Sequence, residues 1–132
     1  MSSIHLRVVT PKSTVFEGDV ADCTAPGATG EFGVLPEHIS YLTAVIPGPL
    51  RFEHSGSQHA YAIGRGFIQV ASDNVTVLCR YAESTSGIVP KDAATELEEA
   101  EMAFAHMGPD SEGYAAAEDR VLDARARVAV SG

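Results

Sequence analysis

Turn chemistry punctuates this chain as far as residue 80, at its densest every eight to twelve residues, and is sparser beyond it. The punctuation is Pro26-Gly27, Pro47-Gly48-Pro49, Ser55-Gly56-Ser57, Gly64-Arg65-Gly66 and Ser72-Asp73-Asn74. Between these breaks lie short apolar runs. Ile4, Leu6 and Val8 alternate with His5 and Arg7, the period-two pattern of a half-buried strand. Val15-Phe16 and Val20 to Thr24 follow, separated by Glu17-Gly18-Asp19, and then Tyr41 to Ile46, Leu50 to His54, His59 to Ile63, Phe67 to Ala71 and Val75 to Cys79. Such spacing predicts a β-sandwich of about ten short strands over residues 1–84.

After Glu83 the period changes. Ser84-Thr85-Ser86-Gly87 reads as a polar hinge, and Pro90 suits a first helical turn with Asp92 near its N-terminus. Ala93, Leu97, Ala100, Phe104 and Met107 then fall on one helical stripe. Gly108-Pro109 ends that helix, and Asp110 or Ser111 is placed to cap the next. Tyr114, Ala117, Val121, Ala124 and Val128 form a second stripe. Residues 85–132 are therefore expected to form an antiparallel helix-loop-helix. Its Ala-rich seam buries little area, so the pair needs the sandwich or a partner to hold it.

Charge narrows the function. The chain carries a formal −9, split as −2 over residues 1–82 and −7 over residues 83–132. That excludes nucleic acid and anionic lipid headgroups as direct partners. No stretch approaches the roughly 20 apolar residues needed to span a bilayer, so no direct membrane insertion is expected. The start, Met1-Ser2-Ser3-Ile4-His5, lacks the features of a signal peptide.

No catalytic, cofactor or metal site is expected. Cys23 and Cys79 read as reduced buried thiols, and the five histidines lack metal-ligand spacing. Glu37 and His38 are adjacent, which on a strand would send them to opposite sides. Gly64-Arg65-Gly66 lacks the Lys-Ser/Thr and following helix of a phosphate loop and reads as a tight hairpin turn. Arg120, Arg125 and Arg127 stand out as basic groups in an acidic half; they serve either surface solubility or an acidic partner.

One stretch advertises docking. In Gly30-Glu31-Phe32-Gly33-Val34-Leu35-Pro36-Glu37-His38, the glycines admit positive φ and Pro36 stiffens the run. Val34 and Leu35 are expected at the tip of this loop as interface anchors. Replacing both with Asp should weaken attachment while leaving the β-domain folded. With Pro47-Gly48-x-Leu50 and Tyr61-Ala62-Ile63-Gly64-x-Gly66-Phe67 at matching spacing, this run resembles the ε subunit of F-type ATP synthases.

The resemblance implies a non-enzymatic central-stalk subunit with the γ subunit, the c-ring and the α/β catalytic head as partners. It would couple proton-driven c-ring rotation to ATP synthesis. Its C-terminal helices, folded against the sandwich or extended along γ, would restrain ATP hydrolysis. The c-ring contact maps to Glu31, Phe32, Gly33, Val34, Leu35 and His38. The γ contact maps to Val9, Thr10, His38 and Thr43, and the regulatory contact with the head to Arg120, Arg125 and Arg127. The implied location is peripheral, on the cytoplasmic face of a bacterial plasma membrane or on a thylakoid membrane.

Two departures accompany the resemblance. The family's Gly-Gly-Phe is Gly64-Arg65-Gly66-Phe67 here. The ATP-binding pattern of some relatives, Ile-Asp-x-x-Arg-Ala, is Ile88-Val89-Pro90-Lys91-Asp92-Ala93, with a carboxylate where a guanidinium belongs. Weak or absent ATP binding is therefore expected. The alternative class is an independent small-ligand-binding β-domain.

Overall fold

The computed structural model describes residues 3–35 and 40–131. Among these residues, ten strands form two five-stranded sheets. β1 (Ile4–Val9), β2 (Thr14–Val20), β5 (Tyr41–Val45), β8 (Gly66–Ala71) and β9 (Asn74–Cys79) make the first, in the order β2-β1-β9-β8-β5. β3 (Cys23–Gly27), β4 (Gly30–Val34), β6 (Gly48–His54), β7 (Ser57–Ile63) and β10 (Ala82–Ser84) make the second, in the order β10-β7-β6-β3-β4. The β1–β9 pair is parallel, with Leu6 opposite Val75 and Val8 opposite Val77. The other pairings are antiparallel.

Alternation decides which side chains enter the core. Ile4, Leu6 and Val8 from β1 meet Ile68 and Val70 from β8, Val75 and Val77 from β9, and Leu50, Phe52 and Ile63 from the opposite sheet, all within one buried cluster. Cys23 and Cys79 are buried free thiols in the same cluster. Burial pushes them up to about 12 and about 11, so both stay neutral and unreactive.

Several boundaries differ from the sequence expectation. Glu17-Gly18-Asp19 does not break the chain; β2 runs through it, with Glu17 and Asp19 outside against His5. Gly18 faces inward, where a Cβ would meet the His54 ring at 2.9 Å. Pro26-Gly27 ends β3, and Gly48-Pro49 opens β6. Gly64-Arg65-Gly66 is not a hairpin turn: it carries the chain from β7 in one sheet to β8 in the other. Gly30 has φ +122°, as the loop requires, whereas Gly33 is ordinary strand opposite Thr24.

A 3-10 turn (Thr85–Gly87) links β10 to two helices, α1 (Pro90–Ala105) and α2 (Tyr114–Ser131). Pro90 sits in the first turn with Asp92, as the sequence suggested. The expected cap of α2 is different: Ser111 Oγ accepts from the Gly108 N–H within the loop, and Gly113 at φ +81° delivers the chain into the helix. The seam follows both stripes, with Ala93, Ala100, Val121 and Ala124 buried and the Phe104 and Tyr114 rings 4.9 Å apart. A second face of α2 lies on the second sheet, where Ala126 and Val130 cover Ala62 beside Ala60 and Ile88.

Candidate functional site

The Gly30–Leu35 segment is a strand edge rather than a free loop. Gly33 pairs Thr24, and Val34 pairs Cys23 with its side chain at 0% exposure. Val34 is therefore core, contrary to its expected place at an apolar tip. Phe32, also on the inward parity, packs against the core and closes over Gly27, where a Cβ would lie 2.8 Å from its ring. What remains outside is Glu31, paired to Arg51 at 2.8 Å, and Leu35, which is 57% exposed. His38, expected at two interfaces, lies outside the described residues.

The larger apolar surface lies on the outer face of the first sheet. Cross-strand register aligns Ala44, Phe67, Leu78 and Val9 in one row over four strands. Phe67 is 53% and Leu78 46% exposed, and Leu42, two residues from Ala44 on the same side of β5, is 65% exposed. A cleft of about 350 Å³ lies at the end of this row, lined by Val9, Thr10, Pro11, Leu78 and the stems of Arg65 and Arg80.

Of the expected γ contacts, Val9 belongs to this row and Thr10 lies beside it. The Thr10 hydroxyl is also spent locally, accepting from the N–H groups of Lys12 and Ser13. Thr43 belongs elsewhere: it is paired with Ile68 and sits on the inward parity of β5. Leu42, Phe67 and Leu78 are not among the contacts expected from sequence. Their signal is apolar residues on both parities of one strand, visible in Tyr41-Leu42 and Val77-Leu78.

The three arginines of α2 are all engaged. Arg120 makes two bonds of 2.9 Å to Glu96 on α1, and Arg125 reaches Glu101 at 3.4 Å. Hydrogen bonding to Arg120 holds the Glu96 carboxyl below its ordinary value. Arg127 pairs with Glu83 on β10 at 2.7 Å and lies 5.9 Å from the Tyr81 ring centre.

Two further contacts fasten α2 to the sandwich. Arg65 grips Asp119 with two bonds, of 2.6 and 3.2 Å, and the Tyr81 hydroxyl donates to Asp123. Burial raises the Asp123 carboxyl, opposed by the Tyr81 hydrogen bond and by Arg127 and Arg80, with Asp119 adding to the rise. Docking thus favours its protonated form. That contribution is complete below its ordinary 3.8 and is lost as pH rises through the elevated value.

The positions matching the ATP-binding pattern border a cleft of about 380 Å³ with Glu83, Asp92, Glu96 and Arg127. A polyphosphate there would meet three carboxylates and one guanidinium. Among the described residues, no three His, Cys, Asp or Glu side chains are grouped to hold a metal ion. No described helix is long and apolar enough to cross a membrane.

Known proteins are similar to this chain in sequence and fold. A family model described as the ATP synthase delta/epsilon chain β-sandwich domain matches residues 3–85. An ATP synthase epsilon chain from Anaeromyxobacter dehalogenans (strain 2CP-C) is 37% identical over 130 residues, covering 98% of each chain. One from Synechococcus sp. (strain CC9902) is 39% identical over 131 residues, covering 98% of this chain and 96% of that one. Among solved structures, a chain in the cryo-EM structure of the Euglena gracilis mitochondrial ATP synthase, comprising OSCP, F1 and c-ring, superposes with a TM-score of 0.79. That pair is 26% identical, over 92% of this chain and 77% of the other.

Proposed function

This chain belongs to the ATP synthase epsilon-chain family, and from that premise we propose that it is a non-catalytic rotor subunit joining γ to the c-ring. The observation that carries the reading is the apolar row Ala44–Phe67–Leu78–Val9 with Leu42 beside it, a large exposed patch on a small folded domain. γ packs on this face, with Thr10 at its margin. The c-ring contact falls at the opposite sheet's edge, on Leu35 and the Glu31–Arg51 pair. The subunit is peripheral, held on the cytoplasmic face of a bacterial plasma membrane through these partners. A thylakoid membrane is the other setting that the family allows.

The assembly test uses Leu42→Asp with Phe67→Asp. Two central anchors at about 2 kcal/mol each correspond to roughly a thousandfold loss of affinity for γ. The double variant should keep the far-UV spectrum and melting of the parent and fail to copurify with γ from detergent-solubilised membranes. Normal copurification would overturn the assignment of this face.

The helices act as the regulatory element. Lifting the α1–α2 pair from the sandwich frees Arg120, Arg125 and Arg127 to meet an acidic segment of the catalytic head and obstruct hydrolysis. Truncation after Ser86 is therefore expected to give an assembled complex with raised ATP hydrolysis. Unchanged hydrolysis in a complex that retains the shortened subunit would make the helices a structural appendage.

A further inference from the structure

The apolar footprint of α2 on the sandwich is small: Ala126 and Val130 over Ala62. Its polar footprint is ordered. Asp119, Asp123 and Arg127 recur every fourth residue and so lie on one stripe of the helix. Each meets a different sandwich group: Arg65 in the β7–β8 link, Tyr81 just before β10, and Glu83 within β10. The signs alternate, with acid against base at one end, base against acid at the other, and a neutral hydroxyl between.

The sandwich side is built before the helix arrives. The Gly64 N–H donates to the Tyr81 carbonyl at 3.0 Å, and the Arg80 N–H donates to the Arg65 carbonyl at 3.2 Å. These bonds lock the Arg65 and Tyr81 backbones together. Gly64 seats the Tyr81 ring, since a Cβ there would lie 2.6 Å from it. Arg65 reaches from this link to Asp119 with two hydrogen bonds. It presents a planar two-pronged donor, a geometry that selects for a carboxylate.

We propose that Arg65, Tyr81 and Glu83 form a three-point clasp for Asp119, Asp123 and Arg127, and that its two charge pairs set whether the helix pair stays seated on the sandwich. This deepens the regulatory reading above and rests on it for its consequence in the assembled enzyme. The clasp itself is a property of the isolated chain. Because the apolar footprint is small, the charge pairs are a large share of what seats α2. An undocked Ala-rich helix frays, so release is visible at its own amides.

The experiment is hydrogen exchange on the full-length chain, read at the α2 amides from Val121 to Ala126, with the β8–β9 amides as the control for an intact sandwich. Arg65→Glu should speed exchange in α2 by about tenfold, within the range of coupled charge pairs, with β8–β9 unchanged. Arg65→Glu combined with Asp119→Arg restores the pair in reverse and should return exchange to within about threefold of the parent. Parental exchange in the single variant, or no recovery in the swap, would overturn the clasp. ATP hydrolysis by complexes carrying Arg65→Glu separates the two claims. Released helices with unaltered hydrolysis would support the clasp and overturn the braking role.

Discussion

Val34→Asp should leave no stably folded sandwich at 25 °C, while its neighbour Leu35→Asp should melt within a few degrees of the parent. Val34 is fully buried between Cys23 and the facing sheet. An unpaired buried carboxylate there costs several kcal/mol even when it takes up a proton. A small domain has only about 5–15 kcal/mol to lose. Leu35, more than half exposed, should change stability by less than about 1 kcal/mol. Circular dichroism melts of the two single variants check this; a Val34→Asp chain melting like the parent would place that side chain outside the core. The double replacement expected from sequence to leave the domain folded would instead unfold it. Of these two residues, only Leu35 can be used to test docking through this segment.

Gly66→Ala is the second variant with a large expected effect. A Cβ at Gly66 would lie 1.8 Å from the Leu78 carbonyl oxygen and 2.8 Å from the Cys79 Cα. Those are backbone atoms of the adjacent strand, so no rotamer can relieve the overlap. β8 must move away from β9, opening the Gly66–Cys79 and Phe67–Leu78 pairs in the middle of the sheet. A loss of about 3 kcal/mol or more is expected, which for a chain of this size lowers the melting temperature by roughly 10 °C. Arg65→Ala, one residue away, should leave the sandwich melt nearly unchanged because its side chain points to α2. Equal losses in the two variants would refute the close-approach argument.

The parts of the fold legible in sequence are those where one parity or one helical stripe is apolar. Ile4-x-Leu6-x-Val8 announced β1, and Val75-x-Val77 announced β9. The stripes through Ala93 and Val121 announced the helix seam. β4 was missed because two glycines and a nearby proline look like a loop, although Phe32 and Val34 share an inward parity. Misreading that parity is what moved Val34 from the core to the surface. β2 was split because Gly18 reads as a turn, when its missing side chain makes room for a histidine ring. The docking side of α2 was hidden for a different reason. Asp119 and Asp123 look like solvated helix surface, and only tertiary structure supplies Arg65 and Tyr81. Arg127 was singled out for a partner in another subunit, and Glu83 of this chain is the partner it has here.

The parallel pairing of β1 with β9 governs the order in which this molecule can be completed. The first strand stays unpaired along one edge until residues 74–78 have been made, so the first sheet closes late and across most of the domain's length. Long-range closure of this kind slows folding and leaves β1 exposed to wrong partners in the interval. Closure nonetheless precedes the helices: β9 ends at Cys79 and β10 at Ser84, before either helix begins. A ribosome that has released the first 86 residues has delivered every strand of both sheets. The helix pair is added to a finished platform, so its removal by proteolysis would leave every strand of both sheets in place.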